Sequence, residues 1–483
     1  MLTITHVHSW DRDAWRGLDI VTDMEIAEVD GALRLYALDG TDGTLSAYGL
    51  NGGQAVLLDR SFVDDEPDGA ASRLLVAELD GVQTLLTGGL SAGIRGYALA
   101  GSGIGDETRP FAPGQNPGPI QCMAVQGDAL LFATTGASLV SMDRGAGGLA
   151  QISSLSGAPF DLDVVGAIEA VSGPFGTHLY AAGTTTITHA ELGGDGRIGA
   201  AEIVDGDEGL WAGALSDLAH VSILKAHYIL AADAASGSIT SLAIGSDGGL
   251  TAADTVQDDH GTRFGGVTAL EGFSVDGRAF VAAAGSDGGL TVLEVLHSGT
   301  LREVATVIHD GTASLGAVSD IEVTVSGQIA TLFVSGHETG GFSQFELSFD
   351  AFGEVLATSQ DGGRAWGGSG ADQLSGDTGA DSLFGAAGSD VLWDGAGIDY
   401  LSGGTGADVF VMAFDETRDV ILRFERGEDL IDLSDWPLLY DTSRLDIVST
   451  ESGAVVTYFD ESLRIVSMDR TPLVLTAEDF VFA

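Results

Sequence analysis

The chain has 483 residues and sets 20 basic against 71 acidic side chains, a formal charge of -51, with Lys225 its only lysine. That balance excludes nucleic acid as a partner, since its binding is driven by cations that neutralise phosphates, and argues equally against an anionic membrane surface; its plain meaning is a solvated, aggregation-resistant exterior that also attracts divalent cations. An apolar fraction of 44% excludes wholesale disorder, the single Cys122 excludes a disulfide framework or a cysteine zinc site, and no stretch offers the roughly 18 apolar residues of a membrane span.

The opening stretch MLTITHVHSWDRDAW lacks the basic and apolar regions of an ordinary N-terminal signal. Beyond it a period sets in. GSDGGLTAADTV from Gly245 recurs as GSDGGLTVLEVL from Gly285, 40 residues later. Aligned on that pair, seven segments run approximately 22–62, 72–111, 118–157, 165–206, 215–259, 266–310 and 317–359, each with four strand-like runs. In the sixth they are GVTALEGF, RAFVAAAG, GLTVLEVL and LREVATVI. Asp247-Gly248, Asp276-Gly277 and Asp287-Gly288 supply the positive dihedrals of tight hairpins, and Ala282, Ala283 and Ala284 let sheets pack closely. Four strands every 40 residues predict an all-β chain that opens with a seven-bladed β-propeller over 1–359. Two β-sandwiches are the alternative, which such a regular period disfavours. The run LTITHVHS has the character of a fourth strand and is expected to close the ring on the last segment. These segments resemble the blades of lactonase-like and WD-repeat-like propellers in architecture only, because no diagnostic Gly-His or Trp-Asp pair recurs in step.

From residue 367 to 411 a second period takes over: GGSGADQLS, GDTGADSLF, GAAGSDVLW, DGAGIDYLS and GGTGADVFV, without a gap. The fourth place holds Gly370, Gly379, Gly388, Gly397 and Gly406; the sixth holds Asp372, Asp381, Asp390, Asp399 and Asp408; the eighth holds Leu374, Leu383, Leu392, Leu401 and Phe410. Glycine permits the backbone turns that aim carbonyl oxygens inward, calcium takes six to eight oxygen ligands, and the apolar eighth place stacks into a narrow core. A linker of loose glycine-rich composition does not produce a nine-residue register. The pattern resembles the repeats-in-toxin (RTX), or hemolysin-type, calcium-binding repeats and implies a parallel β-roll over 360–411. The resemblance further implies that each calcium ion sits between one loop and the loop two repeats on. It thereby implies three fully framed sites: first with third, second with fourth, third with fifth. It carries over Asp372, Asp381, Asp390, Asp399 and Asp408 as carboxylate ligands, with carbonyls at Gly368, Gly370, Gly379, Gly388, Gly397, Gly404 and Gly406. Asp377 and Ala386 replace the second glycine of their repeats and Asp394 replaces a first; the two aspartates are candidate added ligands, whereas Ala386 disturbs the local geometry.

Without metal, crowded carboxylates repel and the glycines favour the unfolded chain, so the roll is expected to fold only with calcium. The segment DVILRFERGEDLIDLSDW, 419–436, resembles the stretch after the repeats in serralysin-like secreted proteins, although Arg423 stands where that pattern carries an acid. Residues 412–483 are therefore expected to be a β-rich cap ending, at EDFVFA, in an uncleaved type I secretion signal. By this resemblance the protein is secreted from a Gram-negative bacterium through type I secretion machinery. Catalytic motifs do not stand out: the ten histidines are scattered, His6 and His8 read as surface or packing residues, and the DGDEG run at Asp205 reads as a turn. Two functions stay open. One is an extracellular binding, adhesion or matrix module that meets a glycan, a surface or a protein; the other is a lactonase-type hydrolase, expected to gather three or more acids or histidines at the channel.

Overall fold

The computed structural model describes residues 2–482 except 11–17, 51–52, 63–72, 91–92, 102, 146–147, 260, 310, 312, 338–339, 350–351 and 435. The DRDAW stretch, the start of the second sequence segment at 72 and the terminal Ala483 thus lie outside the described residues. The chain forms two compact units, 1–275 with 279–348, and 276–278 with 349–483.

The first unit is a seven-bladed β-propeller. Seven four-stranded antiparallel sheets span 21–62, 73–108, 120–156, 168–204, 215–257 and 269–308, with the seventh formed by 318–348 plus Ile4–Trp10. The first strands of successive blades contact one another in a closed circuit, which makes them the innermost ring. Apolar residues on both faces of the middle strands build cores between neighbouring blades. Leu35, Ala37 and Tyr48 of the first blade, for instance, pack with Phe333 and Phe342 of the seventh. Ring closure is as the sequence implies: Ile4–Trp10 pairs antiparallel with Phe342–Ser348, and Trp10 stacks on Phe342 with centroids 4.8 Å apart. Because that N-terminal strand takes the fourth place, Phe352–Ala357, read from sequence with the seventh segment, is free to pair elsewhere. It lies parallel to Ala371–Ser375 in the second unit.

That unit is a parallel β-solenoid of two sheets. One orders Phe352–Ala357, Ala371–Ser375, Val391–Trp393, Val409–Val411, Leu430–Asp432 and Phe480–Val481; the other orders Arg364–Trp366, Ser382–Ala387, Tyr400–Thr405, Arg418–Phe424 and Glu461–Ser467, then the antiparallel strands Gly453–Tyr458 and Asp446–Thr450. Alternate nonapeptides fall on opposite sheets, so each turn takes 18 residues and Leu374, Leu392 and Phe410 stack on one side while Leu383 and Leu401 stack on the other. Ile431 and Ile421 continue the two stacks past the repeats. The cap closes the end of this core with Trp436, Leu439, Tyr458, Leu463, Ile465 and Phe480 in one cluster with the stacked leucines. Trp436 also donates its indole N–H to the Met412 carbonyl at 3.0 Å.

Candidate metal centre

Three glycines of the fourth place are fixed by close approach as well as by dihedral. Gly388, Gly397 and Gly406 have φ of 131°, 137° and 120°, and a Cβ on them would fall on the carbonyls of Gly370, Gly379 and Gly388 one turn earlier. A side chain there is therefore excluded twice, by strain and by collision. Gly404, at φ 122°, abuts the Ala386 carbonyl in the same way. Ala386 itself adopts φ 80° despite its methyl group, so this departure from glycine keeps the turn at a cost in strain.

These loops aim the sixth-place aspartates at one another. Asp372 donates its backbone N–H to the Asp390 carboxylate at 2.8 Å and Asp390 donates to Asp408 at 2.9 Å; on the other flank Asp381 donates to Asp399 at 2.6 Å. First with third, second with fourth and third with fifth are thus the pairs the fold juxtaposes. The ladder does not end with the nonapeptides. Asp399 donates to Asp419 at 2.9 Å and Asp408 to Asp429 at 3.1 Å, across 20 and 21 residues in place of 18. Sequence reasoning placed neither residue in the site. Both start the same Asp-x-apolar triplet as the repeats, Asp419-Val420-Ile421 and Asp429-Leu430-Ile431, and that signal was available out of phase.

The backbone leaves part of each carboxylate over. All five sixth-place aspartates are at most 1% exposed. One oxygen each of Asp381, Asp390, Asp399 and Asp408 is buried with no hydrogen-bond partner. Asp372 differs, since Glu354 and Gly368 N–H groups occupy its two oxygens at 2.5 and 2.6 Å. Burial pushes Asp390 up to about 6 and Asp399 and Asp408 up to about 7, and it holds Asp419 and Asp429 at about 6. Neighbouring aspartates add to each rise. Orphaned, buried, mutually repelling carboxylate oxygens fit a hard cation with oxygen ligands, which would supply the missing partner and the missing positive charge.

Of the departures from the repeat, Asp394 is buried, accepts the Ala413 N–H at 2.8 Å and lies with Asp399 and Asp419 in a group whose ligand atoms are within 4.8 Å of one another. Asp377 is half-buried and belongs to no such group among the described residues; its backbone carbonyl accepts the Ala396 N–H at 2.9 Å.

In the propeller, acids converge on the innermost strands: Asp23, Glu25, Glu169, Asp217, Glu271, Asp320 and Glu322. Burial pushes Asp23 up to about 6, Asp217 to about 7 and Glu25 and Glu169 to about 8, while Glu271, Asp320 and Glu322 rise well above the usual carboxylate range. Their geometry gives them a structural task. Asp320 accepts the Met24 N–H at 2.6 Å, Asp217 the Leu270 N–H at 2.7 Å, Glu322 the Ile26 N–H at 3.3 Å, and Asp23 the Leu74 N–H. These four carboxylates each satisfy an inner-edge amide of the next blade and so latch the ring. The sequence signal was the shared S/T-D-x-E of TDMEI and SDIEV. Histidines pair in space rather than in sequence: His178 with His189 at 2.7 Å and His220 with His227 at 3.2 Å, with burial lowering His189 and His220 to about 4. His6 instead bonds Ser9 and packs on Phe345. Asp205 caps a single turn, Gly206–Glu208, in the DGDEG run, and Cys122 is buried with its thiol pushed up to about 12.

Comparison with known proteins agrees with this geometry. Residues 366–393 and 384–411 match the RTX calcium-binding nonapeptide repeat family (4 copies), so the roll is built of RTX calcium-binding repeats. No curated protein matches the chain. Among solved structures it is similar to one titled "Crystal structure of WD40 beta propeller domain of Doa1", at 13% identity and a TM-score of 0.48, over 71% of this chain and 96% of that one. Among the described residues no helix is long and apolar enough to cross a membrane.

Proposed function

We propose that this is a secreted protein whose RTX roll folds on meeting extracellular calcium and whose propeller is a binding, adhesion or matrix module for a glycan, a surface or a protein. The observation that carries the calcium part is the set of buried, partnerless oxygens on Asp381, Asp390, Asp399 and Asp408. In this reading three fully framed ions lie between the loops of Asp372 and Asp390, Asp381 and Asp399, and Asp390 and Asp408. The carbonyls of Gly368, Gly370, Gly379, Gly388, Gly397, Gly404 and Gly406 and the acids Asp377 and Asp394 complete the donor set. The division of labour is a propeller up to 348, a roll from 349 to 411 that includes the strand Phe352–Ala357, and a cap that carries the export signal over 412–483.

Export by type I machinery suits such a chain. Cytosolic calcium is too scarce to fill sites with constants of about 0.1 mM, whereas roughly ten times that value outside contributes about 1.4 kcal/mol per site and about 4 kcal/mol for three. The seven acids on the innermost strands meet the convergence expected of the lactonase reading, and what supports the binding reading is that Asp23, Asp217, Asp320 and Glu322 each hold an amide of the neighbouring blade. Hydrogen exchange on the full chain tests the proposal: amides of 371–411 should become protected as calcium is titrated and lose protection with a chelator. Exchange indifferent to calcium would overturn it.

A further inference from the structure

Past the fifth nonapeptide the carboxylates converge rather than thin out. Asp394, Asp399 and Asp419 bring ligand atoms within 4.8 Å of one another, and so do Asp415, Asp419 and Glu461. Asp419 belongs to both groups. Their origins differ: Asp394 and Asp399 come from the fourth nonapeptide, Asp415 and Asp419 from the segment after the fifth, and Glu461 from the start of the cap strand Glu461–Ser467. Exposure is 1% for Asp394, 0% for Asp399, 3% for Asp419 and 1% for Glu461.

The charged groups that bear on Asp394 are Asp419, Asp399 and Asp415, and those that bear on Asp419 are Asp415 and Glu461. Hydrogen bonds account for only part of this oxygen surface. Asp399 gives Oδ1 to the Asp381 amide, and its Oδ2 is fully buried with no partner. Glu461 Oε2 receives the Asp415 and Glu416 amides at 3.1 and 2.7 Å, which pins this cap residue to the loop after the repeats. Five acids gathered around one shared aspartate, with an orphaned oxygen among them, form a donor set for a hard divalent cation.

We propose that the junction of roll and cap holds one further calcium ion, bound by Asp394, Asp399, Asp415, Asp419 and Glu461. It rests on the reading of the roll as calcium-binding and differs from the loop-to-loop sites in drawing a ligand from the cap. Calcium then does two things in this unit: it folds the turns, and it fastens the strands 446–467 onto the last of them. Arg423 does not bar the site, because the acids come from 415, 419 and 461 instead.

The test uses the full chain, equilibrium dialysis with metal analysis to count ions, and hydrogen exchange of 446–467 across a calcium titration. Glu461→Gln keeps an oxygen for the Asp415 and Glu416 amides and removes the charge. It should bind one calcium fewer than wild type and need at least tenfold more calcium to protect 446–467, while 371–393 respond as before. An unchanged ion count and an unchanged midpoint at 446–467 would overturn the junction site and leave the roll reading intact. Wild-type chain that binds no calcium would overturn both. If Glu461→Gln does not fold, Asp415→Asn, at a partly exposed position, carries the same test with the same outcomes.

Discussion

Replacing Asp390 by asparagine should change stability in opposite directions with and without calcium. Asp390 Oδ1 accepts the Asp372 amide at 2.8 Å, a bond the asparagine oxygen can keep, and its other oxygen is buried without a partner. In the chelated protein at pH 7.5 burial has raised this carboxyl from 3.8 to about 6, so the folded roll must ionise a group it prefers protonated. Two pH units at about 1.4 kcal/mol each set a ceiling near 3 kcal/mol, and solvent screening in the loops brings the expected gain for the neutral amide to about 1 kcal/mol. With calcium the sign reverses. Asp390 faces both Asp372 and Asp408, so its loss weakens two of the framed sites at about 1.4 kcal/mol each, for a net cost of about 2 kcal/mol after the relief of repulsion. Urea unfolding of the full chain, monitored through Trp366, Trp393 and Trp436 with about 1 mM calcium, reads the loss, and the β signal regained by circular dichroism in chelated protein reads the gain. Equal destabilisation in the two conditions would refute the reasoning, since it would make Asp390 a structural acceptor like the propeller acids.

Acid should partly replace calcium. Asp390, Asp399, Asp408, Asp419 and Asp429 have folded values of about 6 to 7, above the unfolded value near 3.8. Their contribution is therefore complete below pH 4 and is lost as pH rises through 6 and 7; circular dichroism of chelated protein should gain β signal between pH 7.5 and 5. Ala386→Gly relieves a side chain held at φ 80° and should raise roll stability by about 1 kcal/mol in urea melts with calcium. Gly397→Ala drives a methyl group into the Gly379 carbonyl and should cost about 3–5 kcal/mol, read as lost calcium-induced protection of 371–411. Asp320→Ala strands the Met24 amide between the seventh and first blades and should lower propeller stability by about 1–3 kcal/mol in calcium-independent thermal melts; Asp320→Asn should recover most of it.

The nonapeptides were legible because every requirement they meet is local. A glycine that must turn, an aspartate that must face inward and a leucine that must stack recur within nine residues. The blades were legible for the same reason, and ring closure by LTITHVHS was read from its likeness to the fourth strand of a blade. What escaped was non-local. Asp419 and Asp429 extend the ladder only after the turn lengthens to 20 and 21 residues, which breaks the nine-residue phase. The acids of the inner ring bond amides about fifty residues away in the next blade, as Asp23 does to Leu74 and Asp217 to Leu270. Glu461 reaches Asp415 across 46 residues, a distance no motif spacing encodes.

The two units use one residue type under similar electrostatic stress for different ends. Burial raises Asp23 and Asp217 in the propeller much as it raises Asp390 and Asp399 in the roll, so proton affinity does not separate a latch from a ligand. The oxygen left over does. Among the described residues every buried carboxylate oxygen without a partner belongs to the roll, on Asp381, Asp390, Asp399 or Asp408. In the propeller the next blade supplies an amide, and the carboxylate serves as a fixed part of a closed ring. In both units a neighbour commonly supplies one amide for two oxygens, but Asp23, Asp320 and Glu322 are partly exposed and their second oxygen reaches solvent, whereas in the roll the second oxygen is sealed from it. That deficit is the physical basis for expecting the roll, and not the propeller, to depend on calcium for its fold.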